Sequence, residues 1–220
     1  MLENLLKDVK PYPFLGDVFK SKPTQISLAE DGPYFSKYVG ATQKEIDKLI
    51  ERVQKTKKAL WSISGDRELR GTLYRENGHA PMEENAVHIG LDVIVPAGTA
   101  VYAPFDSEVV DTLNDRTQGG YGFMSVLKCT EDVYLLFGHL AGEGLAPLGT
   151  KLKAGDQFAK VGELRENGNW FEHVHLQVLT KKAYEARLYG ALMHPDSIEH
   201  ADELFPSPMP LITASIEGGL

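Results

Sequence analysis

Val87-His88-Ile89-Gly90-Leu91-Asp92-Val93-Ile94-Val95 sets a histidine and an aspartate four residues apart, with a glycine midway and a β-branched run behind them. Glycine and the Val-Ile-Val run argue for strand rather than helix. On a straight strand, however, residues four apart lie about 13 Å from each other, too far to share one metal ion whose ligand bonds are about 2 Å long. A bend must therefore fall between His88 and Asp92, and Gly90 is the residue that permits it.

From about residue 80 the chain continues in the same style. Apolar and β-branched runs at 93–95, 100–103, 108–112, 123–129, 133–137, 157–161 and 173–179 are separated by Pro96-Ala97-Gly98, Pro104-Phe105-Asp106, Gly119-Gly120, Gly138, Gly149, Ala154-Gly155-Asp156 and Glu166-Asn167-Gly168-Asn169. Strands at this spacing predict a mainly β fold, an antiparallel β-sandwich or open barrel. The first 70 residues differ. Pro11, Pro13, Gly16 and Pro23 predict irregular structure, and Thr42-Gln43-Lys44-Glu45 is a capping-box pattern that starts a helix. Ile46, Leu49, Ile50, Val53 and Leu60 share its apolar face. The expected organisation is a partly helical segment of unknown role over 1–70, a β-rich domain over 71–182, and a C-terminal helix with an irregular tail over 183–220. The helix is expected near 181–189, and the tail centres on the proline-rich stretch 205–210.

The 220 residues suffice for a buried core. With 23 Lys and Arg against 31 Asp and Glu, the net charge is −8, and no basic tract stands out, so nucleic acid is not an expected partner. No membrane span is expected either. The amino terminus carries no signal-peptide pattern, which points to the cytoplasm; export by an unrecognised route to periplasm or exterior is the alternative. Oligomeric state is not legible. The single cysteine, Cys129, is expected to pack as a small apolar side chain.

Eighty residues after the opening stretch, His173-Val174-His175 places two imidazoles on one face of a strand. His139, after Gly138 at the end of another predicted strand, can enter the same site. His79, His194 and His200 have no partner at a useful spacing and are expected to be ordinary hydrogen-bonded histidines. Histidine and carboxylate donors with a position left open fit a hydrolytic zinc site better than a structural one, which four ligands usually close. A cupin-type iron site would need a carboxylate soon after the second histidine, and residues 176–180 supply none.

These motifs, with Val95-Pro96-Ala97-Gly98-Thr99, Gly119-Gly120-Tyr121-Gly122, Gly138-His139-Leu140, Ala154-Gly155-Asp156, Val161-Gly162 and His173-Val174-His175-Leu176-Gln177 in order, resemble the lysostaphin-type zinc metallopeptidases over roughly residues 80–180. The stretch before His173 and the proline-rich tail look closer to a branch fused to aminotransferase and kinase-like modules. The resemblance implies one zinc per chain held by His88, Asp92 and His175, with His139 and His173 as catalytic histidines. It implies a metallopeptidase or amide hydrolase, endopeptidase-like, that uses a metal-activated water on peptidoglycan-like or other short peptides. The alternative is a non-catalytic or autoinhibited scaffold that keeps the fold. Tyr121 and Trp170 are candidates for a substrate groove, or equally for packing at the edge of the fold.

Overall fold

The computed structural model describes residues 1–71 and 86–218. Its strands are β1 Thr24–Gln25, β2 Ser62–Ser64, β3 Val87–His88, β4 Leu91–Ile94, β5 Ala100–Tyr102, β6 Ser107–Asp115, β7 Gly122–Lys128, β8 Tyr134–Leu140, β9 Lys151–Leu152, β10 Gln157–Lys160, β11 Val174–Leu179 and β12 Leu192–Met193. Eight of them form one sheet in the order β1-β2-β4-β11-β8-β7-β6-β9, while β5 pairs with β10 and β3 with β12. The mainly β class is therefore as expected. The finer expectation of an antiparallel sandwich or open barrel is not established by the pairing among the described residues: the eight-stranded sheet is mixed, β1 lying parallel to β2, and it ends at β1 and β9 without closing. Turn spacing marks the longer strands, but neither the two-residue ones, such as β3 and β9, nor how the sheets join.

The middle of this sheet is covered on both faces. Every residue of β4, β8 and β11 is buried, the near-continuous apolar reading of strands with two covered faces. Leu135 and Phe137 enter the main core with Val174, Leu176 and Val178. Tyr134 and Leu136 enter a second cluster with Leu179, Ala183 and Phe205. His175 and Gln177, alternating with the main-core residues of β11, face away from that core.

The N-terminal helix spans Gln43–Lys57 and carries the full capping box. Thr42 Oγ1 accepts from the Glu45 amide at 3.3 Å, and Glu45 Oε2 accepts from the Thr42 amide at 2.9 Å. Its Ile46, Ile50 and Val53 pack with Ile26, Leu28, Tyr38, Ile94, Trp170 and Phe171. Leu60 does not join that face, because Lys58 ends the helix in a left-handed conformation and Leu60 is exposed. Strands β1 and β2 also lie in this segment, and β2 extends the main sheet by pairing antiparallel with β4.

After β11 the expected short helix spans Lys181–Glu185. The tail is more ordered than its prolines predict: a helix runs over Met209–Gly218, and Leu211 and Ile212 reach the main core beside Leu2. Pro210 falls in the first turn, where a missing N–H costs no intrahelical bond. Cys129 is a free thiol packed against the main core. No helix among the described residues is long and apolar enough to cross a membrane.

Candidate metal centre

Sheet register brings the candidate ligands together. His175 on β11 stands opposite Asp92 on β4 and opposite Gly138 on β8. The chain breaks between β3 and β4 at Ile89-Gly90, where Gly90 has φ +100°, and this is the bend that lets His88 approach Asp92. A Cβ on Gly90 would lie 2.6 Å from the Leu176 carbonyl oxygen and 3.1 Å from the His175 ring. Only glycine fits there.

Three donor atoms result. His88 Nε2 lies 3.1 Å from His175 Nδ1 and 3.4 Å from Asp92 Oδ1, and His175 Nδ1 lies 3.3 Å from the same oxygen. Ligands about 2.0–2.1 Å from a tetrahedral zinc sit about 3.3 Å from one another, so this triangle has the edges of a zinc site with one vertex open. The donor set fits the metal that the resemblance implies.

The tautomers fit as well, because each ring offers its other nitrogen to an oxygen. His88 Nδ1 donates to the Gly65 carbonyl at 3.3 Å, and His175 Nε2 donates to Gln177 Oε1 at 3.1 Å. That leaves His88 Nε2 and His175 Nδ1 with free lone pairs, the arrangement by which neighbours orient ligand histidines. His139 Nδ1 donates to the Asn167 carbonyl at 2.8 Å and His173 Nδ1 to the Phe171 carbonyl at 2.7 Å. Their Nε2 atoms are therefore acceptors too, and His173 Nε2 lies 3.5 Å from Asp92 Oδ1.

His139 reaches the site by an irregularity that sequence does not show. Regular alternation after Phe137 and Gly138 would return residue 139 to the main core. The β7–β8 register shifts between Phe123 and Ser125, and His139 takes φ +60°. This bulge turns the ring to the Gly138 face, with its centroid 4.3 Å from that of His173.

On its other oxygen Asp92 meets Arg70. The guanidinium is buried and gives Nη1 to Asp92 Oδ2 at 2.5 Å, Nη2 to Ser64 Oγ at 2.8 Å and Nε to Glu68 Oε2 at 2.9 Å. One carboxylate oxygen thus faces Arg70 while the other faces the imidazoles. Burial alone would raise the Asp92 pKa, but His88, Arg70, His173 and the hydrogen bond to His175 outweigh it and hold the carboxyl well below its usual range. Arg70 and Gln177 are the participants that motif reading missed. Gln177 could have been found, since it lies two residues beyond His175 on the same strand face; nothing in the spacing of Arg70 singles it out.

His88, Asp92, His139, His173 and His175, each no more than 6% exposed, line a cavity of about 400 Å³. Tyr121 and Trp170 line it too, and both are anchored: the Tyr121 hydroxyl donates to the Tyr189 carbonyl at 2.6 Å and Trp170 Nε1 to the Gly120 carbonyl at 3.1 Å. His194 and His200 lie exposed beside carboxylates, and His79 is outside the described residues.

Burial is the largest cause of the lowered pKa values of His88, His139 and His173, in the last case to about 4. Arg70 adds to the effect at His88, and His173 and His175 add to it at His139. These rings are neutral near pH 7. Below about pH 6.5 the unfolded chain takes up protons that the folded protein refuses, so stability falls with falling pH. The metal-free protein is expected to show a urea midpoint that drops steadily from pH 7 towards pH 4; a midpoint that rose on acidification would contradict neutral buried rings.

In sequence, residues 86–186 match the model of peptidase family M23. Similar solved structures include a variant of the catalytic domain of the prophage-encoded M23 protein EnpA from Enterococcus faecalis, at 21% identity over 62% of this chain and 89% of that one, TM-score 0.43. The catalytic domain of lysostaphin from Staphylococcus simulans is 18% identical over 62% of this chain and 84% of that one, TM-score 0.42. A zinc-containing peptidase from Vibrio cholerae is 24% identical over 47% of this chain but only 30% of its own length, TM-score 0.40. No curated protein matches the chain. None of these matches bears on the branch fused to aminotransferase and kinase-like modules. Taken with the donor triangle they enclose, residues 86–186 are a domain of peptidase family M23, the lysostaphin-type metallopeptidases.

Proposed function

We propose that the chain is a zinc-dependent amide hydrolase that cleaves peptidoglycan-like or other short peptides, with zinc held by His88, Asp92 and His175. The observation that carries this reading is the triangle of donor atoms at 3.1–3.4 Å beside two histidines whose Nε2 atoms are free to accept. Zinc bound there would polarise the substrate carbonyl and acidify a water molecule.

His139 and His173 supply the proton handling. As neutral rings with Nδ1–H fixed by backbone carbonyls, both present Nε2 to the cavity. One takes the proton that the attacking water loses; the resulting imidazolium returns a proton to the leaving nitrogen as the C–N bond breaks. The second accepts at Nε2 from a water molecule whose other proton steadies the negative charge that develops on the carbonyl oxygen. Tyr121 and Trp170 form walls against which the peptide lies.

The test is metal content together with hydrolysis. Protein loaded with one equivalent of zinc should release new amines from oligoglycine, cell-wall stem peptides or small amides, lose that activity on chelation and regain it with zinc. Protein that binds one zinc and cleaves none of these would favour the scaffold reading.

A further inference from the structure

The cavity is walled by two stretches that lie outside residues 86–186. Leu28 comes from the N-terminal side and Leu192 from the C-terminal side, and both line the cavity with Trp170 and Phe171. These four side chains belong to a single apolar cluster, so the two ends of the chain pack together beside the donor atoms.

Both walls are fastened. On the C-terminal side, Leu192 pairs with His88 in the β3–β12 ribbon, the Ile89 amide donates to the Ala191 carbonyl at 2.7 Å, and Tyr121 holds the Tyr189 carbonyl. On the N-terminal side, the Leu28 amide donates to Glu68 Oε2 at 3.2 Å, and Glu68 is also bonded to Arg70. Gln43 and Asp47 of the capped helix accept from the amides of Phe171 and Glu172 at 3.0 and 3.1 Å. The stretch leading into His173 is thereby tied to the N-terminal segment.

A volume of about 400 Å³ equals a sphere about 9 Å across, the length of two or three extended residues at about 3.3–3.6 Å each. It is near the small end of the ~300–1,000 Å³ typical of pockets that enclose small ligands. Walls fastened on two sides of so small a volume leave less room for a peptide that continues in both directions past the scissile bond than for a free chain end.

We propose that this site selects short peptides or small amides that enter by a free end, and that the segments around Leu28 and Leu192 impose the limit. The proposal rests on the hydrolase reading above and sets its substrate class: compact amides of two or three residues, rather than strands inside a cross-linked polymer.

The test uses full-length, zinc-loaded protein and two readouts, calorimetric binding and amine release. The probes are triglycine, trialanine, and heptaglycine and heptaalanine acetylated and amidated at their ends, with intact peptidoglycan sacculi as the polymer. The tripeptides are expected to bind, and to be cleaved, at least tenfold better than the blocked heptapeptides, with sacculi left intact. Leu192→Ala, which keeps the backbone pairing with His88, is expected to narrow that difference. Blocked heptapeptides handled as well as tripeptides, solubilised sacculi, no tripeptide binding, or unchanged discrimination in Leu192→Ala would each overturn the proposal. Selective binding of tripeptides without any cleavage would instead overturn the hydrolase reading and leave the size limit standing.

Discussion

Replacing His175 by alanine is expected to strip the centre of its metal. His175 Nδ1 closes two edges of the donor triangle, at 3.1 Å to His88 and 3.3 Å to Asp92, and its lone pair is aimed by the hydrogen bond to Gln177. Losing even an outer partner of a ligand commonly costs about 10–100-fold in metal affinity or activity, so losing the ligand should cost more than 100-fold in zinc affinity. The fold should survive, because β11 is held through its backbone by β4 on one side and β8 on the other. Competition against a chromophoric chelator measures the effect. Zinc affinity within threefold of wild type, in a variant with a normal unfolding transition, would remove His175 from the ligand set.

Arg70→Met should be felt most in the metal-free protein. The guanidinium and the Asp92 carboxylate are both buried, and the exchange strands a carboxylate among apolar neighbours and imidazoles. Breaking a buried pair from one side typically costs about 3–5 kcal/mol. Glu68 and Ser64 would lose their bonds to the same group. Zinc should restore much of the loss, since a divalent ion on Oδ1 supplies the countercharge that Arg70 no longer provides. Urea unfolding with and without zinc separates the two states: a large deficit without metal and a smaller one with it is the expected pair of results. A deficit below about 1 kcal/mol in the metal-free protein would show that Arg70 does not hold Asp92.

Much of this centre was legible because it depends on local chemistry. The bend at Gly90 follows from the distance between His88 and Asp92 on a straight strand, and the Gln43–Lys57 helix follows from Thr42 and Glu45. What escaped depends on residues far apart in the chain. Strands β1 and β2 are two and three residues long, too short for alternation to reveal, and exist because neighbouring strands pair with them. Arg70 meets Asp92 across 22 residues, with no periodicity to mark it. The bulge that redirects His139 arises from a register shift between β7 and β8, which neither strand encodes alone. The helix over Met209–Gly218 was hidden by the surrounding prolines, of which Pro206 and Pro208 precede it and Pro210 sits in its first turn, where it is tolerated.

With zinc bound as proposed, the alignment of Asp92, His175 and Gly138 across three adjacent strands would make its uptake a check on assembly. Sliding β4 or β11 by one residue would turn its ligand into the main core and bring an apolar side chain round to the cavity. Asp92 and His175 are 83 residues apart in sequence, so their meeting depends on pairing that is slow to form because of the long loop it closes. A nascent chain could acquire high-affinity zinc only after β4 and β11 had settled in register, and the ion would then lock that register against slippage. The metal would act on folding as a late proofreading clasp, before any substrate arrives.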